Sequence, residues 1–386
     1  MTNSKLNFFY FVIVELILCG SGQIIHVYGG LTLRMFNFII AILLSIYLLL
    51  CKPQMDKDST NVFLWYIFIF CISVSFSLIG GTTKYLFEDI KPLSFFMIYP
   101  FFYWMIISEK VVMNIVRIIK YCVLVMTVTY LVYLLLIRFW GVIDFNFFYY
   151  DIMSGESDFI FRSDKGELFY KGFVFLPIGL VFLLKSKRYI ASLLVLIAVY
   201  FTLTRGFYII TFLALFLVYI LFSSQKSSYK LFMILFLSFL CILVCSYFDL
   251  FEVSEGRESG DELRIQTIYQ VIDRITPLSF FIGHGFGNGV PIREVHMEMS
   301  YLEIFHKQGI FGLLFWIYFL YSIYRYYKKV DNRYKDIAGA FFIGAILIYV
   351  QSLFNPYMNN PIGMSALLLS YFSCRRLSLL SQVRNA

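Results

Sequence analysis

The sequence predicts an all-α polytopic integral membrane protein of about twelve transmembrane helices, with a large outer loop late in the chain. Three observations carry that expectation. Hydrophobic residues make up 60% of the chain against 15% charged, and the mean hydropathy of +0.78 lies outside the range of globular domains. Apolar runs long enough to cross a hydrocarbon core of ~30 Å recur along the 386 residues. Basic residues gather in short clusters between alternate runs, where they set orientation in a bilayer.

Taken in order, the runs place spans near 6–25, 33–51, 62–79, 92–107, 115–140, 171–184, 189–204, 206–222, 231–247, 310–324, 337–353 and 362–374. The first run has only Lys5 before it and no small-residue cleavage site, so it reads as a retained span. The seventh and eighth are separated only by Thr204-Arg205-Gly206, which predicts a tight turn. With an inner N-terminus, 19 of the 32 Lys and Arg residues fall on the inner side, against few acidic ones, and both termini face the cytoplasm. The formal charge of +8 is thus a topology signal, and nucleic-acid binding is set aside. All seven cysteines lie in or at the ends of predicted spans without a CxxC, so neither a disulfide framework nor a zinc site follows.

This orientation puts two long loops outside, 141–170 and 248–309, together with the turn at Arg205. Loops of such length carry function or structure of their own. In the second, Ser259-Gly260-Asp261-Glu262 matches a capping box, and Ile268, Val271, Ile272 and Ile275 follow at helical spacing before Pro277. An amphipathic helix over about 261–275, near the membrane surface and with Arg264 in its first turn, is expected. No internal repeat or low-complexity segment divides the chain, so 1–386 reads as a single transmembrane domain.

Gly283 to Gly312 is the one stretch that gathers Gly, His, Arg and Glu. Glycine stands at 283, 285, 287 and 289, which lets the backbone come close to a ligand or to another segment, and the spacing is wrong for a dinucleotide fingerprint. His296, Ser300, Glu303 and Lys307 then recur at helical spacing, predicting a helix from near His296 with one polar stripe. His296 has an ordinary pKa of about 6.5, suited to taking a proton from a hydroxyl; a capping or interfacial histidine is the plainer reading. Glu298 stands where it could orient that imidazole or hold an acceptor.

Arg205 sits at the outer junction of two spans, where a planar guanidinium meets phosphate oxygens well, or where an arginine merely snorkels. Arg264, Arg274 and Arg293 share an acidic loop in which surface ion pairs are the default, and Arg264 stands out. Glu303-x-x-His306 is half of a helical carboxylate metal motif, and Asp56-x-Asp58 resembles a transferase metal pair; both read as ordinary solvated residues. Glu15, inside the first span, calls for a partner on another helix. The aromatic cluster Phe147 to Tyr150 reads as an interfacial belt or as a sugar-stacking surface.

The span count, the late outer loop and the run GHGFGNG…HMEMSYLEIFHKQGIFGLLF together resemble the O-antigen polymerases (Wzy type) of Gram-negative bacteria, relatives of the O-antigen ligases. In that superfamily the late loop carries an arginine in an amphipathic segment, a glycine-rich turn, a histidine commonly followed by Asn, and a G-x-x-G leading into the next span. Arg264, Gly283 to Gly287, His296 and Gly309-x-x-Gly312 stand at those places, and Leu203-Thr204-Arg205-Gly206 resembles the earlier outer-face arginine. Met297 departs from the pattern where Asn is common.

The resemblance implies a glycosyltransferase C-like fold in the bacterial inner membrane. Both long loops and the active site would face the periplasm, and no metal or cofactor would be needed. The donor implied is an undecaprenyl-diphosphate-linked oligosaccharide, and a chain-length regulator is an implied partner beside membrane lipid. The expected catalytic residues are His296 and Glu298, and the expected substrate-binding residues are Arg205, Arg264, Arg293, Gly283, Gly285 and Gly287. Two rivals stand beside a polymerase. An O-antigen ligase would use the same chemistry with lipid A-core as acceptor. A lipid-linked sugar flippase or other transporter would show broken helices or repeat symmetry at mid-membrane, whereas the polar residues here gather in the outer loops.

Overall fold

Most apolar runs among the described residues become helices in the computed structural model, which describes residues 2–18, 25–28, 31–52, 54–81, 83–148, 159–162, 166–222 and 255–385. The helices are α1 (Thr2–Ile17), α2 (Leu33–Cys51), α3 (Lys57–Ile79), α4 (Leu86–Leu93), α5 (Tyr99–Met105), α6 (Glu109–Leu134), α7 (Phe175–Lys185), α8 (Tyr189–Phe201), α9 (Arg205–Phe222), α10 (Glu255–Asp273), α11 (Pro277–Ile282), α12 (Ser300–Lys328), α13 (Asn332–Gln351) and α14 (Pro361–Asn385). Asp56, Ser108 and Asp331 start α3, α6 and α13 by accepting from backbone N–H groups of the first turn. Among the described residues five helices are long and apolar enough to cross a membrane: α2, α3, α6 with its extension to Phe139, α9 and α13. The protein is a helical, multi-pass membrane protein.

Several elements differ from the sequence expectation. The run 92–107 is not one span: it breaks into α4, a 3-10 stretch (Ser94–Ile98) and α5. Pro92 and Pro100 each remove a backbone donor and crowd the preceding turn. The run 171–184 yields α7, only 11 residues long, with every residue from Phe175 to Leu183 buried; it is a core helix packed on α6, α9 and α13. The run 310–324 lies within the longer α12, which kinks at Gly309. The turn between α8 and α9 occurs where expected, with Leu203 at φ +46°. Loop 141–170 holds a hairpin, β3 (Phe159–Phe161) on β4 (Leu168–Tyr170), antiparallel with Ile160 opposite Phe169; β1 (His26–Tyr28) and β2 (Leu31–Thr32) form a smaller one before α2. The expected span 231–247 and Tyr149 to Asp151 lie outside the described residues.

Lipid tails are as apolar as leucine, so contact packing and satisfied polar groups hold such a bundle together. Phe96 sits at the centre, fully buried, with its ring 4.2 Å from Tyr66, 5.4 Å from Phe319 and 5.6 Å from both Tyr99 and Phe315, which joins α3, α5 and α12. Glu15 finds its partner on α2: Arg34 donates Nη2 to Oε2 at 2.9 Å and Nε to Oε1 at 3.2 Å. Asp56 pairs with Arg375 and Asp58 with Arg325, so these two carboxylates tie the start of α3 to α14 and α12 and are not simply solvated.

Candidate active site

The polar residues of the late loop fold onto a cavity of about 880 Å³. Its walls come from α4, the turn before α9, α10, the chain from His296 to Glu298, the first turns of α12, and the connection between α13 and α14. The glycine-rich turn makes this closure possible. A side chain at Gly283 would place its Cβ 2.2 Å from the backbone of Lys307, and one at Gly309 would lie 2.4 Å from Phe281; both glycines have positive φ, +76° and +65°. The kink at Gly309 releases helix carbonyls, and the turn uses them: His284 N–H donates to His306 O at 2.8 Å and Gly285 N–H to Lys307 O at 3.0 Å. Gly287 N–H donates to Asp89 Oδ2 at 2.6 Å.

Lys307 organises the charges that the turn brings in. Its buried ammonium donates to Glu303 Oε1 at 2.6 Å, Asp89 Oδ1 at 2.7 Å and Val295 O at 2.6 Å, which uses all three of its N–H groups. Asn359 Nδ2 donates to the other Glu303 oxygen at 2.6 Å. His296, half-exposed in the cavity wall, turns Nδ1 toward this group, 3.5 Å from Glu303 Oε1 and 3.6 Å from Asp89 Oδ1. Two carboxylates and one ammonium leave one net negative charge beside the imidazole, so the cluster favours an imidazolium. The hydrogen bond to Glu303, reinforced by the charges of Glu303 and Asp89, raises the His296 pKa above its ordinary value, against the opposing effects of burial and of Lys307. A base must be neutral to act, so if His296 serves as one, activity is expected to fall as pH drops through this raised pKa. Glu303→Gln is therefore expected to move the acid limb of kcat/KM to lower pH, read from a pH–rate profile; an unmoved limb would show that Glu303 does not tune His296.

The cationic part of the cavity is a chain of pairs. Arg205 Nη1 lies 3.9 Å from Asp261 Oδ2, Arg264 Nη1 donates to Asp261 Oδ1 at 2.8 Å, and Arg264 Nε donates to Glu298 Oε2 at 2.7 Å. Arg293 Nη2 closes the chain on Glu298 Oε1 at 2.6 Å.

Of the residues singled out in the sequence, Arg205, Arg264, His296 and Glu298 line the cavity. Arg293 stands behind Glu298. Gly283, Gly285 and Gly287 do not line this cavity: Gly283 packs on the Lys307 backbone, Gly285 N–H donates to Lys307 O and Gly287 N–H to Asp89 Oδ2, so each makes its close approach to another segment. Glu298 does not orient His296, because its two oxygens are held by two guanidiniums; Glu303 and Asp89 stand there instead. The helix expected from His296 starts at Ser300, leaving His296 in the preceding loop. The helix expected from Asp261 starts at Glu255, so Arg264 lies well past its first turn and opposes no helix dipole. Met297 faces away from the cavity, packed with Val271 and Val290.

Glu303 and His306 are both buried, contrary to the solvated reading. They point apart: Glu303 joins Lys307, while the His306 ring lies 4.6 Å from that of His284. Asp89, His296 and Glu303 could each turn one ligand atom toward a cation, yet the Lys307 ammonium already stands between the two carboxylates. Glu303 and Lys307, four apart on one helix, were visible as a pair in the polar stripe. Nothing in the sequence marked Asp89, 218 positions from Lys307.

No protein-family profile matches the chain. It is similar to an O-antigen polymerase of Shigella flexneri, 25% identical over 394 residues that take in 95% of this chain and 100% of that one.

Proposed function

We propose, from the chain's similarity to an O-antigen polymerase, that it belongs to that family and joins undecaprenyl-diphosphate-linked oligosaccharide repeat units on the periplasmic face of the inner membrane, as a glycosyltransferase that needs no metal. The observation that carries this reading is the meeting of Arg205, Arg264 and His296, from three separate segments, in one cavity. A sugar hydroxyl of one lipid-linked repeat attacks the anomeric carbon of the growing glycan on the other. His296 takes the hydroxyl proton, the new glycosidic C–O bond forms, and the bond from the anomeric carbon to the lipid diphosphate breaks. The diphosphate leaves with the electron pair, its added charge met by Arg205 and Arg264.

The arginines are held by carboxylates that a diphosphate can replace. The Arg205, Arg264, Asp261 and Glu298 side chains are each about a third to a half exposed, and pairs of that kind contribute only ~0–1 kcal/mol. Fixed guanidiniums aimed at a developing anion lower a barrier without reorganising, and losing one such donor typically costs ~10²–10³-fold.

The test is glycan formation by purified protein from lipid-linked repeat units, with a chelator present and no lipid A-core. A ladder of lengths is expected. Arg205→Lys and Arg264→Lys are each expected to lose at least about tenfold, because lysine keeps the charge without the planar fork. Full ladders from both variants would leave the arginines as structural anchors, and transfer only on adding lipid A-core would assign the ligase reaction instead.

A further inference from the structure

We infer that the connection between α13 and α14, residues 354–360, is the binding surface for the acceptor saccharide, with the Asn355 side-chain amide as its principal hydrogen-bonding group. This rests on the glycosyltransfer reading above and adds to it the place where the attacking sugar sits. Every residue from 354 to 360 except Met358 lines the cavity. The segment is neutral, with Asn355, Asn359 and Asn360 alongside Phe354 and Tyr357, while the cavity's arginines and lysines come from other parts of the chain. Side-chain amides donate and accept at once, as sugar hydroxyls require, and aromatic rings cover the apolar C–H faces of a pyranose.

The surface is rigid, which a specificity site needs. Met358 N–H donates to Ser352 Oγ at 2.9 Å, Tyr357 Oη to Lys171 O at 3.0 Å, and Ile362 N–H to Asn360 Oδ1 at 3.0 Å. A Cβ at Gly363 would stand 2.1 Å from Tyr357 O, so the turn packs directly on the start of α14. Within this frame the Asn355 backbone is engaged, its N–H donating to Gln351 O at 3.0 Å and its O accepting from Ser300 Oγ at 3.3 Å. Its half-buried side-chain amide makes no hydrogen bond to any described residue, which leaves its donors and its acceptor for a ligand.

The position fits the acceptor and not the donor. Asn359 donates to the same Glu303 carboxylate that His296 faces, and a carboxylate only accepts, so the Asn359 NH₂ must be the group turned toward Glu303. Its Oδ1 is buried and without a partner among the described residues. The amide surface is thus tied to the base through one shared carboxylate, and the hydroxyl that His296 deprotonates belongs to the acceptor. The diphosphate of the donor goes to Arg205 and Arg264, on α9 and α10.

A synthetic repeat-unit glycoside that lacks a diphosphate can act only as acceptor, which separates the two substrates. With saturating lipid-linked donor, Asn355→Ala is expected to raise the KM for this glycoside about tenfold, the usual worth of one or two neutral hydrogen bonds, with kcat and donor KM close to those of the unaltered protein. An unchanged acceptor KM, or a rise in donor KM instead, overturns the subsite. Glycosides lacking single hydroxyls test it on the unaltered protein: one deoxy compound should lose about tenfold, and should lose nothing further in Asn355→Ala. Equal use of every deoxy glycoside overturns the proposal without touching the glycosyltransfer reading. Absence of any transfer by the unaltered protein fails that reading and takes the subsite with it.

Discussion

His296→Asn is expected to reduce polymer formation by about 10²–10⁴-fold, the contribution of a positioned general base, while the protein still folds and inserts. Asparagine keeps a polar side chain in the half-exposed position of His296 but cannot accept a proton near neutral pH. The carboxylates beside it would lose a neighbour that is only partly hydrogen-bonded, at 3.5 and 3.6 Å, so the cost to stability is small. The measurement is glycan formation from lipid-linked repeat units by the detergent-solubilised variant, with yield and melting behaviour checked against the unaltered protein. Turnover near that of the unaltered protein would end the assignment of His296 as base. Glu298→Gln provides the contrast. It leaves the His296 environment intact and weakens only the pairs to Arg264 and Arg293, so a smaller loss is expected.

Lys307→Met is expected to destabilise the protein by about 3–5 kcal/mol, because it leaves buried carboxylates without their counter-charge. Asp89 and Glu303 are both under a tenth exposed, and among the described residues the Lys307 ammonium is the one group that donates to both. The damage would spread along identifiable bonds. Lys307 also donates to Val295 O, just before His296, and Asp89 holds the glycine turn through Gly287 N–H. A second change, Asp89→Asn, removes one stranded charge and is expected to return part of the lost stability, as a coupled pair requires. Thermal unfolding in detergent measures both variants. Additive losses in the double variant would mean that the two residues are not energetically coupled.

How much of this site was legible beforehand depends on how far apart its parts lie in the chain. Arg205 stood out at the junction of two apolar runs, where a charge is costly and therefore informative, Arg264 in the expected amphipathic helix of an acidic loop, and His296 amid polar residues beside a predicted helix start. The i, i+4 pair Glu303 and Lys307 was visible as a stripe, yet its burial was not. Asp89 sits in a short segment with ordinary polar neighbours, and its position beside Lys307 follows from α4 breaking away from the run that seemed to continue into it. Glu298 and Glu303 both lie within eight residues of His296, and only the start of α12 at Ser300 decides which of them faces the imidazole.

The sequence by itself determined the helical membrane class, the tight turn before Arg205, the need for glycine around 283–309, and the short set of cations and histidine from which a site had to be drawn. Those properties are local: apolar runs, turn chemistry and the cost of a charge within an apolar chain act over a few residues. Only the tertiary structure decided that the glycines serve the backbone of α12, that two guanidiniums hold Glu298, and that Lys307 joins Asp89 to Glu303 beneath His296. Those are pairings between segments up to 218 positions apart, set by how a kinked helix and a loop pack against each other. Composition and periodicity specify that a charge needs a partner; the choice of partner is made where the chain closes on itself.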